Sequence, residues 1–97
     1  MRVKILKEAH EDIRNGRLFY DAQERGVGQY FSGTVFADIR SLRNFAGIHP
    51  KQYGFFKMLM RRFPYAIYYD MDGADVTVVA VLDWRRDPAW VERRLIP

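Results

Sequence analysis

The spacing of hydrophobic residues changes near the middle of the chain. In residues 29–44, apolar side chains recur every three to four positions, which places them on one face of an α-helix. They are Phe31, Val35, Ile39 and Leu42. From Phe55 onward, apolar and polar residues alternate with a period of two, which is typical of β-strands. The pattern predicts mainly helices in the first half and strands in the second.

These periods predict an α+β fold with the order β-α-α-β-β-β and a short C-terminal helix. The predicted elements are a strand at Arg2–Lys7, helices at Glu8–Glu24 and Gln29–Asn44, strands at Phe55–Arg61, Tyr65–Met71 and Val76–Trp84, and a helix at Asp87–Arg94. Consecutive strands joined by short turns predict a mainly antiparallel sheet, with the two-helix hairpin packed on it. Domains typically have roughly 100–200 residues, so we expect residues 1–97 to form one domain.

Turn and capping residues support several of these boundaries. Asp72-Gly73 predicts a β-hairpin, because Gly adopts positive φ without steric cost. Gly26 is suited to the left-handed conformation that ends a helix. Asp87 followed by Pro88 predicts the start of the last helix. The early turns of the first helix carry acidic residues that complement its dipole, namely Glu8, Glu11 and Asp12.

The last predicted strand is apolar on both of its faces. A period of two places Val76, Val78, Ala80 and Leu82 on one face and Val79 and Val81 on the other. A strand of this kind is typically buried on both sides. Two helices in a hairpin cover one face of a small sheet, and the tail helix would add partial cover. We therefore expect a partner protein to cover the rest of the second face.

Composition excludes several classes of protein. Hydrophobic residues make up 48% of the chain, too many for a disordered protein, and the absence of cysteine excludes disulfides and thiolate zinc sites. No apolar run approaches the ~18 residues of a membrane span. The N-terminus lacks the apolar stretch of a secretory signal. We expect a cytoplasmic protein without a membrane partner.

Basic residues cluster although the net charge is only +4. One cluster lies in a stretch without carboxylates and comprises Lys51, Lys57, Arg61 and Arg62, and another near the C-terminus comprises Arg85, Arg86, Arg93 and Arg94. Such local excess of positive charge indicates an anionic partner.

Residues for metal, cofactor or nucleophilic chemistry are missing. His10 and His49 have no carboxylate or second histidine at metal-ligand spacing. The Asp70–Asp75 segment lacks the ligand spacing of a calcium loop, and the serines and threonines have no triad partners. We expect no metal and no cofactor.

Several segments together resemble a known family. They are Arg62-Phe63-Pro64-Tyr65-Ala66-Ile67-Tyr68-Tyr69, Val79-Ala80-Val81-Leu82 and Arg85-Arg86-Asp87-Pro88, preceded by Glu11-Asp12-Ile13, Phe19-Tyr20-Asp21-Ala22-Gln23 and Gly26-Val27-Gly28-Gln29-Tyr30-Phe31. Their order and spacing resemble the ParE-like branch of the RelE/ParE toxin superfamily, the plasmid-stabilisation type of toxin in type II toxin–antitoxin systems. The resemblance extends over nearly the whole chain.

The resemblance implies a toxin with a cognate antitoxin, ParD-like or similar, whose C-terminal segment wraps around it. ParE-like members inhibit DNA gyrase, and we take this binding activity as the preferred function. The basic candidates for contact with antitoxin or gyrase carboxylates are Arg61, Arg62, Arg85 and Arg86. The remaining candidates for the partner-binding surface are Tyr65, Val79, Val81 and Trp90.

Two alternatives stay open. RelE-like members cut messenger RNA on the ribosome, and the residues available for this chemistry are Lys57, Arg61, Arg85 and His49. Lys57 and Arg61 would lie about 13 Å apart on one strand, too far to hold one phosphate together. Asp83 stands where many relatives carry a histidine, and an ionised Asp is a poor general acid. The other alternative is an inactive toxin that acts as a co-repressor with its antitoxin.

Overall fold

A computed structural model describes all residues, 1–97, of the chain. The elements are β1 (Arg2–Ile5), α1 (Lys7–Gln23), α2 (Val27–Phe45), β2 (Lys51–Gln52), β3 (Phe55–Leu59), β4 (Tyr65–Asp72), β5 (Asp75–Asp83) and α3 (Pro88–Leu95). The order confirms the predicted α+β fold. Two details differ, because β2 is an additional short strand and β3 ends at Leu59, so that Arg61 lies outside it. None of the helices is long and apolar enough to cross a bilayer.

The five strands form one mixed sheet in the order β1-β5-β4-β3-β2. Three of the four strand pairs are antiparallel, which confirms the mainly antiparallel prediction. The fourth pair is β1 with β5, which run parallel from Arg2↔Asp75 to Ile5↔Val78. Because β1 ends at Ile5, the part of β5 after Val78 has no strand on that side.

Helices α1 and α2 cover one face of the sheet, which we call the hairpin face. The predicted stripe of α2 is buried, with Phe31, Val35 and Leu42 fully inaccessible. The two helices approach closely at Gly16, where a Cβ atom would lie 2.5 Å from the ring of Phe31. A cluster of 14 buried residues from the helices and the sheet forms the main core on this face.

Residue Val79 interrupts the regular pairing of β5 with β4. The register runs from Tyr65↔Asp83 to Tyr68↔Ala80 and then shifts to Tyr69↔Val78, so Val79 is an extra residue in a β-bulge. Val76, Val78 and Val81 consequently belong to the core of the hairpin face, whereas Ala80 and Leu82 belong to the opposite face. The predicted division of this strand into two faces is therefore wrong, because a strict period of two does not survive a bulge.

Helix α3 packs on the opposite face of the sheet, which we call the tail face. It contributes Val91 and Leu95 to a second cluster of six buried residues that also contains Ala66, Tyr68, Ala80 and Leu82. The expectation that a partner must cover this part of the sheet is wrong, since the chain's own tail buries it. The evidence for a partner therefore comes from other features of the molecule.

Tight turns join the antiparallel strands. Gly73 has φ +61° in the β4–β5 turn, as predicted for a glycine in this hairpin. In the β2–β3 turn, Tyr53 and Gly54 both have positive φ, +55° and +84°. Two positive φ values in a two-residue turn define the type I′ hairpin, in which Asn, Asp or Gly usually fills the first position. A tyrosine there is unusual and strained.

Candidate partner-binding site

A groove of about 290 Å³ runs along the part of β5 that β1 leaves unpaired. Helix α1 forms one wall and α3 the other. We call it the interhelix groove. Four of the predicted partner-binding residues line it, namely Tyr65, Val81, Arg86 and Trp90. Further lining residues come from α1 (Asp12, Asn15, Gly16 and Phe19), from β5 (Leu82 and Asp83) and from α3 (Arg94).

Asp12 of α1 joins three elements at the base of this groove. Its carboxylate accepts a hydrogen bond from the backbone N–H of Val81 at 3.1 Å, which satisfies a donor on the unpaired edge of β5. It also forms a two-pronged ion pair with Arg94 of α3, with N–O distances of 2.7 and 2.9 Å. Burial raises the pKa of Asp12 despite the opposing effects of Arg94 and Val81. The pair fixes α3 to α1 and to the sheet.

Arg86 and Trp90 form the basic and aromatic part of the groove. The guanidinium carbon of Arg86 lies 3.8 Å from the centre of the Trp90 ring, within the range of a cation–π interaction. Arg94 lies near the same ring at 5.8 Å. Arg86 itself is exposed and has no carboxylate within ion-pair distance. The stacked guanidinium is therefore held in place yet free to bind an acidic group.

Arg85 is engaged within the chain. It forms an ion pair with Asp83, with Nη2 2.9 Å from one carboxylate oxygen. Burial alone would raise the pKa of Asp83, but hydrogen bonds and charge from Arg85 lower it below its usual value. Burial, with Tyr20 and Asp83 nearby, raises the pKa of Tyr65 to about 12. Tyr65 therefore remains a neutral hydroxyl at the groove and not a base at neutral pH.

The other predicted partner-binding residues lie apart from the groove. Arg62 is exposed and donates a hydrogen bond of 2.6 Å to the hydroxyl of Tyr30 on α2. Arg61 is also exposed, and its positive charge partly offsets the burial that raises the pKa of Asp38. Val79 is half-buried against the cluster of the tail face. Val81, although it lines the groove, packs its side chain in the core.

The residues considered for RNA cleavage do not form one site. His49 contacts the hydroxyl of Tyr69 at 2.5 Å, and Tyr69 belongs to the core of the hairpin face. Lys57 is on the tail face, where its register partner is Tyr68, and its ammonium donates to Gln52 at 2.9 Å. The sheet therefore separates His49 from Lys57. Arg85 is paired with Asp83, and Arg61 lies outside β3.

Sequence reasoning missed the α1 side of the groove. Asp12 was attributed to the helix dipole, whereas its position within α1 aims it at β5 and α3. Phe19 is exposed, with 54% of its surface accessible, and lines the groove. In the sequence, the spacing of Asp12, Gly16 and Phe19 is only a weak indication of a binding surface. It becomes interpretable only once Arg94 of α3 is known to pair with Asp12.

The fold defines the class of this protein: a small α+β chain with a helical hairpin on one face of a mixed sheet and a short C-terminal helix on the other. This fold is shared with a chain in the solved structure described as "Chromosomal ParDE TA system from P. aeruginosa". The superposition has a TM-score of 0.76 and covers 84% of this chain and 92% of that chain. Sequence identity is 14%, so the similarity establishes the fold.

Comparisons at the level of sequence find no counterpart. No protein-family model matches the chain, and no curated protein matches it significantly. In the structure, no group of three or more His, Asp or Glu side chains is arranged to hold a metal ion. The functional interpretation therefore depends on the fold and the surface.

Proposed function

We propose that this chain is the toxin of a type II toxin–antitoxin module, that it acts in the cytoplasm by binding and inhibiting DNA gyrase, and that a ParD-like antitoxin neutralises it. One observation carries the proposal. The fold agrees, with a TM-score of 0.76, with nearly the whole of a chain from a ParDE toxin–antitoxin structure. The ParE-like motifs of the sequence, which run through both helices and the last two strands, support the same class independently of the coordinates.

The interhelix groove is the surface we assign to the antitoxin. It offers the exposed ring of Phe19, the stacked Arg86–Trp90 pair and a length of β5 without a neighbouring strand. Buried aromatic and arginine anchors are the residues that dominate the energetics of protein interfaces. An amphipathic helix or an added strand with acidic residues would complement this combination. Arg61 and Arg62 remain candidates for a separate contact with gyrase.

Binding is favoured over RNA cleavage by the placement of the candidate catalytic residues. A cleavage site needs a proton acceptor, a proton donor and cations around one phosphate. His49 and Lys57 are separated by the sheet, and the pKa of Tyr65 near 12 makes that hydroxyl a poor base at neutral pH. The proposal accordingly assigns no catalytic residue.

The test is expression of the chain in bacteria, alone and together with the product of the adjacent gene. We expect growth arrest with the chain alone and normal growth with both. Purified chain should inhibit gyrase supercoiling, whereas a translation extract should show no discrete cuts in messenger RNA. Discrete cuts would favour the RelE-type nuclease, and normal growth with the chain alone would favour an inactive co-repressor.

Substitutions in the interhelix groove test whether the antitoxin binds there. Trp90→Ala and Arg86→Gln should weaken binding of the adjacent gene product by tenfold or more, because both remove an anchor of the groove. Arg40→Gln, an exposed residue of α2 outside the groove, is the matched control for loss of one positive charge. Binding should also weaken with salt. Equal affinities of all three variants would place the antitoxin elsewhere.

A further inference from the structure

The end of β5 has the position of a site for strand addition, because β1 pairs with it only up to Val78. In an antiparallel pair, alternate residues direct both N–H and C=O to the same neighbouring strand. The N–H of Trp84 bonds to the carbonyl of Pro64, next to β4, at 3.0 Å. The main chain of Val81 and Asp83 therefore points away from β4, toward the interhelix groove. An added strand would have to pair with these two residues.

The main chain at both positions is already engaged within the chain. The N–H of Val81 donates to the carboxylate of Asp12 at 3.1 Å. The carbonyl of Asp83 accepts from the N–H of Arg86 at 3.2 Å. Val81 is only 1% exposed, so a partner strand cannot reach its carbonyl either. An inward-pointing charged side chain is one of the ways in which natural sheets close an edge, and Asp12, fixed by Arg94, has that position here.

Side chains, in contrast, are accessible along the groove. Phe19 is 54% exposed on the α1 side, and Trp90 is half-buried on the α3 side. Both carboxylates that line the groove are in ion pairs within the chain. Arg86, stacked on Trp90, is exposed and has no carboxylate partner. The groove therefore offers a partner two aromatic surfaces and one unpaired positive charge, but no main-chain ladder.

We propose that the interhelix groove binds an amphipathic helix of a partner protein and excludes an added strand. The helix places an apolar side chain against Phe19 and Trp90, and an Asp or Glu about one turn away on Arg86. Residues three or four positions apart on a helix lie roughly 5–6 Å from each other, which allows both contacts from one helical face. That this partner is the antitoxin rests on the function proposed above.

The closed edge is the reason for the choice between the two modes of binding. A helix satisfies its own main-chain groups, so it needs only side-chain contacts from the groove. An extended segment would instead bury N–H and C=O groups against an edge that offers them no partner, which is unfavourable. Asp12 is thus the residue that decides how a partner can bind, although it does not contact the partner's charge.

The experiment uses the full chain and three short capped peptides. The first is an alanine-based helix, stapled on one face, with leucine and glutamate at helical spacing on the other. The second has the same amino acids without the staple, reordered so that apolar and acidic residues alternate as in a strand. The third is the stapled helix with glutamine in place of glutamate. Binding is followed by NMR shifts of the Trp90 indole and the Phe19 ring at constant ionic strength, because both line the groove.

We expect saturable shifts with the stapled glutamate helix, at least tenfold weaker binding of the glutamine helix and no saturable shifts with the alternating peptide. Phe19→Ala and Arg86→Gln should each weaken binding of the glutamate helix about tenfold, because each removes an anchor. Arg93→Gln is the matched control for Arg86→Gln. It removes an arginine that is exposed on α3, outside the groove and without an ion pair, and should leave the affinity unchanged.

Four outcomes would overturn the proposal. Absence of saturable shifts with the glutamate helix would remove the groove as a binding site, and equal or tighter binding of the alternating peptide would assign it to a strand. Equal affinities of the Arg86→Gln and Arg93→Gln variants would remove the acidic contact. Shifts of the same signals with protein concentration alone would assign the groove to a second copy of the chain. Absence of growth arrest or of gyrase inhibition, by contrast, would overturn the proposed function and leave this inference intact.

Discussion

The two faces of the sheet are covered in very different ways. On the hairpin face, α1 and α2 together supply 36 residues (17 plus 19), and the core there has 14 buried members. On the tail face, α3 supplies eight residues and the core has six. The hydroxyl of Tyr69, on the hairpin face, accepts a hydrogen bond from Gly47, whereas the hydroxyl of Tyr68, on the tail face, is buried without a partner.

The comparison indicates that the hairpin face mainly provides stability, whereas the elements around α3 mainly provide binding. Burial of apolar surface stabilises by about 25 cal/mol per Å², so the larger core should provide most of the stability. Helix α3 is short and terminal, and its attachment depends on two buried side chains and on the pair between Asp12 and Arg94. The candidate binding surface, the interhelix groove, borders α3. Four stability measurements test whether the two faces differ in this way.

The largest effect should come from truncating one leucine on each face. Leu42→Ala removes a fully buried side chain from α2 and should destabilise by about 4 kcal/mol. Leu95→Ala, the same substitution in the last turn of α3, should cost about 2 kcal/mol, because the end of a terminal helix relaxes into the space. Urea unfolding monitored by circular dichroism measures both. Equal losses would contradict the unequal contribution of the two faces.

Breaking the ion pair that attaches α3 should have the next largest effect. Arg94→Met leaves the Asp12 carboxylate buried without its cation and should destabilise by about 2 kcal/mol at neutral pH, less than a fully buried pair because Arg94 is partly exposed. Without Arg94, the pKa of Asp12 in the folded state should rise further. The loss should therefore shrink as pH falls and Asp12 becomes protonated.

Arg93 provides the control for this measurement. Arg93→Met removes the same charge from the same helix at an exposed position without an ion pair, and should change stability little. If the two methionine variants lose the same stability at neutral pH, the attachment of α3 does not depend on Asp12.

The adjacent buried tyrosines should respond in opposite ways to loss of the hydroxyl. Tyr69→Phe leaves the amide of Gly47 unpaired and should destabilise by about 1 kcal/mol. Tyr68→Phe removes a hydroxyl that has no partner and should be neutral or slightly stabilising. Thermal unfolding of both variants under one condition makes the comparison. A destabilised Tyr68→Phe variant would show that its hydroxyl already has a partner in solution.

The smallest expected effect is a pH dependence from His49. Burial lowers the pKa of His49, so its contribution to stability is complete above the unfolded value of about 6.5 and is lost as pH falls through the folded value. Protonation of His49 also makes Nδ1, which contacts the Tyr69 hydroxyl, a hydrogen-bond donor. The free energy of unfolding should therefore decrease below about pH 6.5, and His49→Gln should flatten this slope. His10→Gln, at an exposed position, should leave it unchanged.

Local signals were sufficient to predict most of the elements. Helical spacing in α2 and the Asp72-Gly73 turn each depend on residues close in sequence, and both are confirmed. The Asp87 cap is confirmed as well, since its carboxylate accepts from the N–H of Ala89. The bulge at Val79 was missed, because its valine-rich segment is compatible with either face until β4 fixes the register. Strand β2 was missed because its two residues carry no periodicity.

The candidate site was predicted only in part. Trp90 and Arg86 were selected from a basic, aromatic C-terminus, and the structure places both at the groove. Asp12 was missed, because its partners Val81 and Arg94 lie 69 and 82 positions away in the sequence. No local pattern reports a hydrogen bond over such a separation. The orphan hydroxyl of Tyr68 was hidden for the same reason.

The sequence by itself determined the order of helices and strands, because hydrophobic period, turn residues and caps act over a few neighbouring positions. The tertiary structure alone decided which side of the sheet each β5 residue faces, that α3 covers the tail face, and which charges are paired. These properties depend on contacts between distant parts of the chain, where one extra residue in a strand reverses the direction of every side chain beyond it.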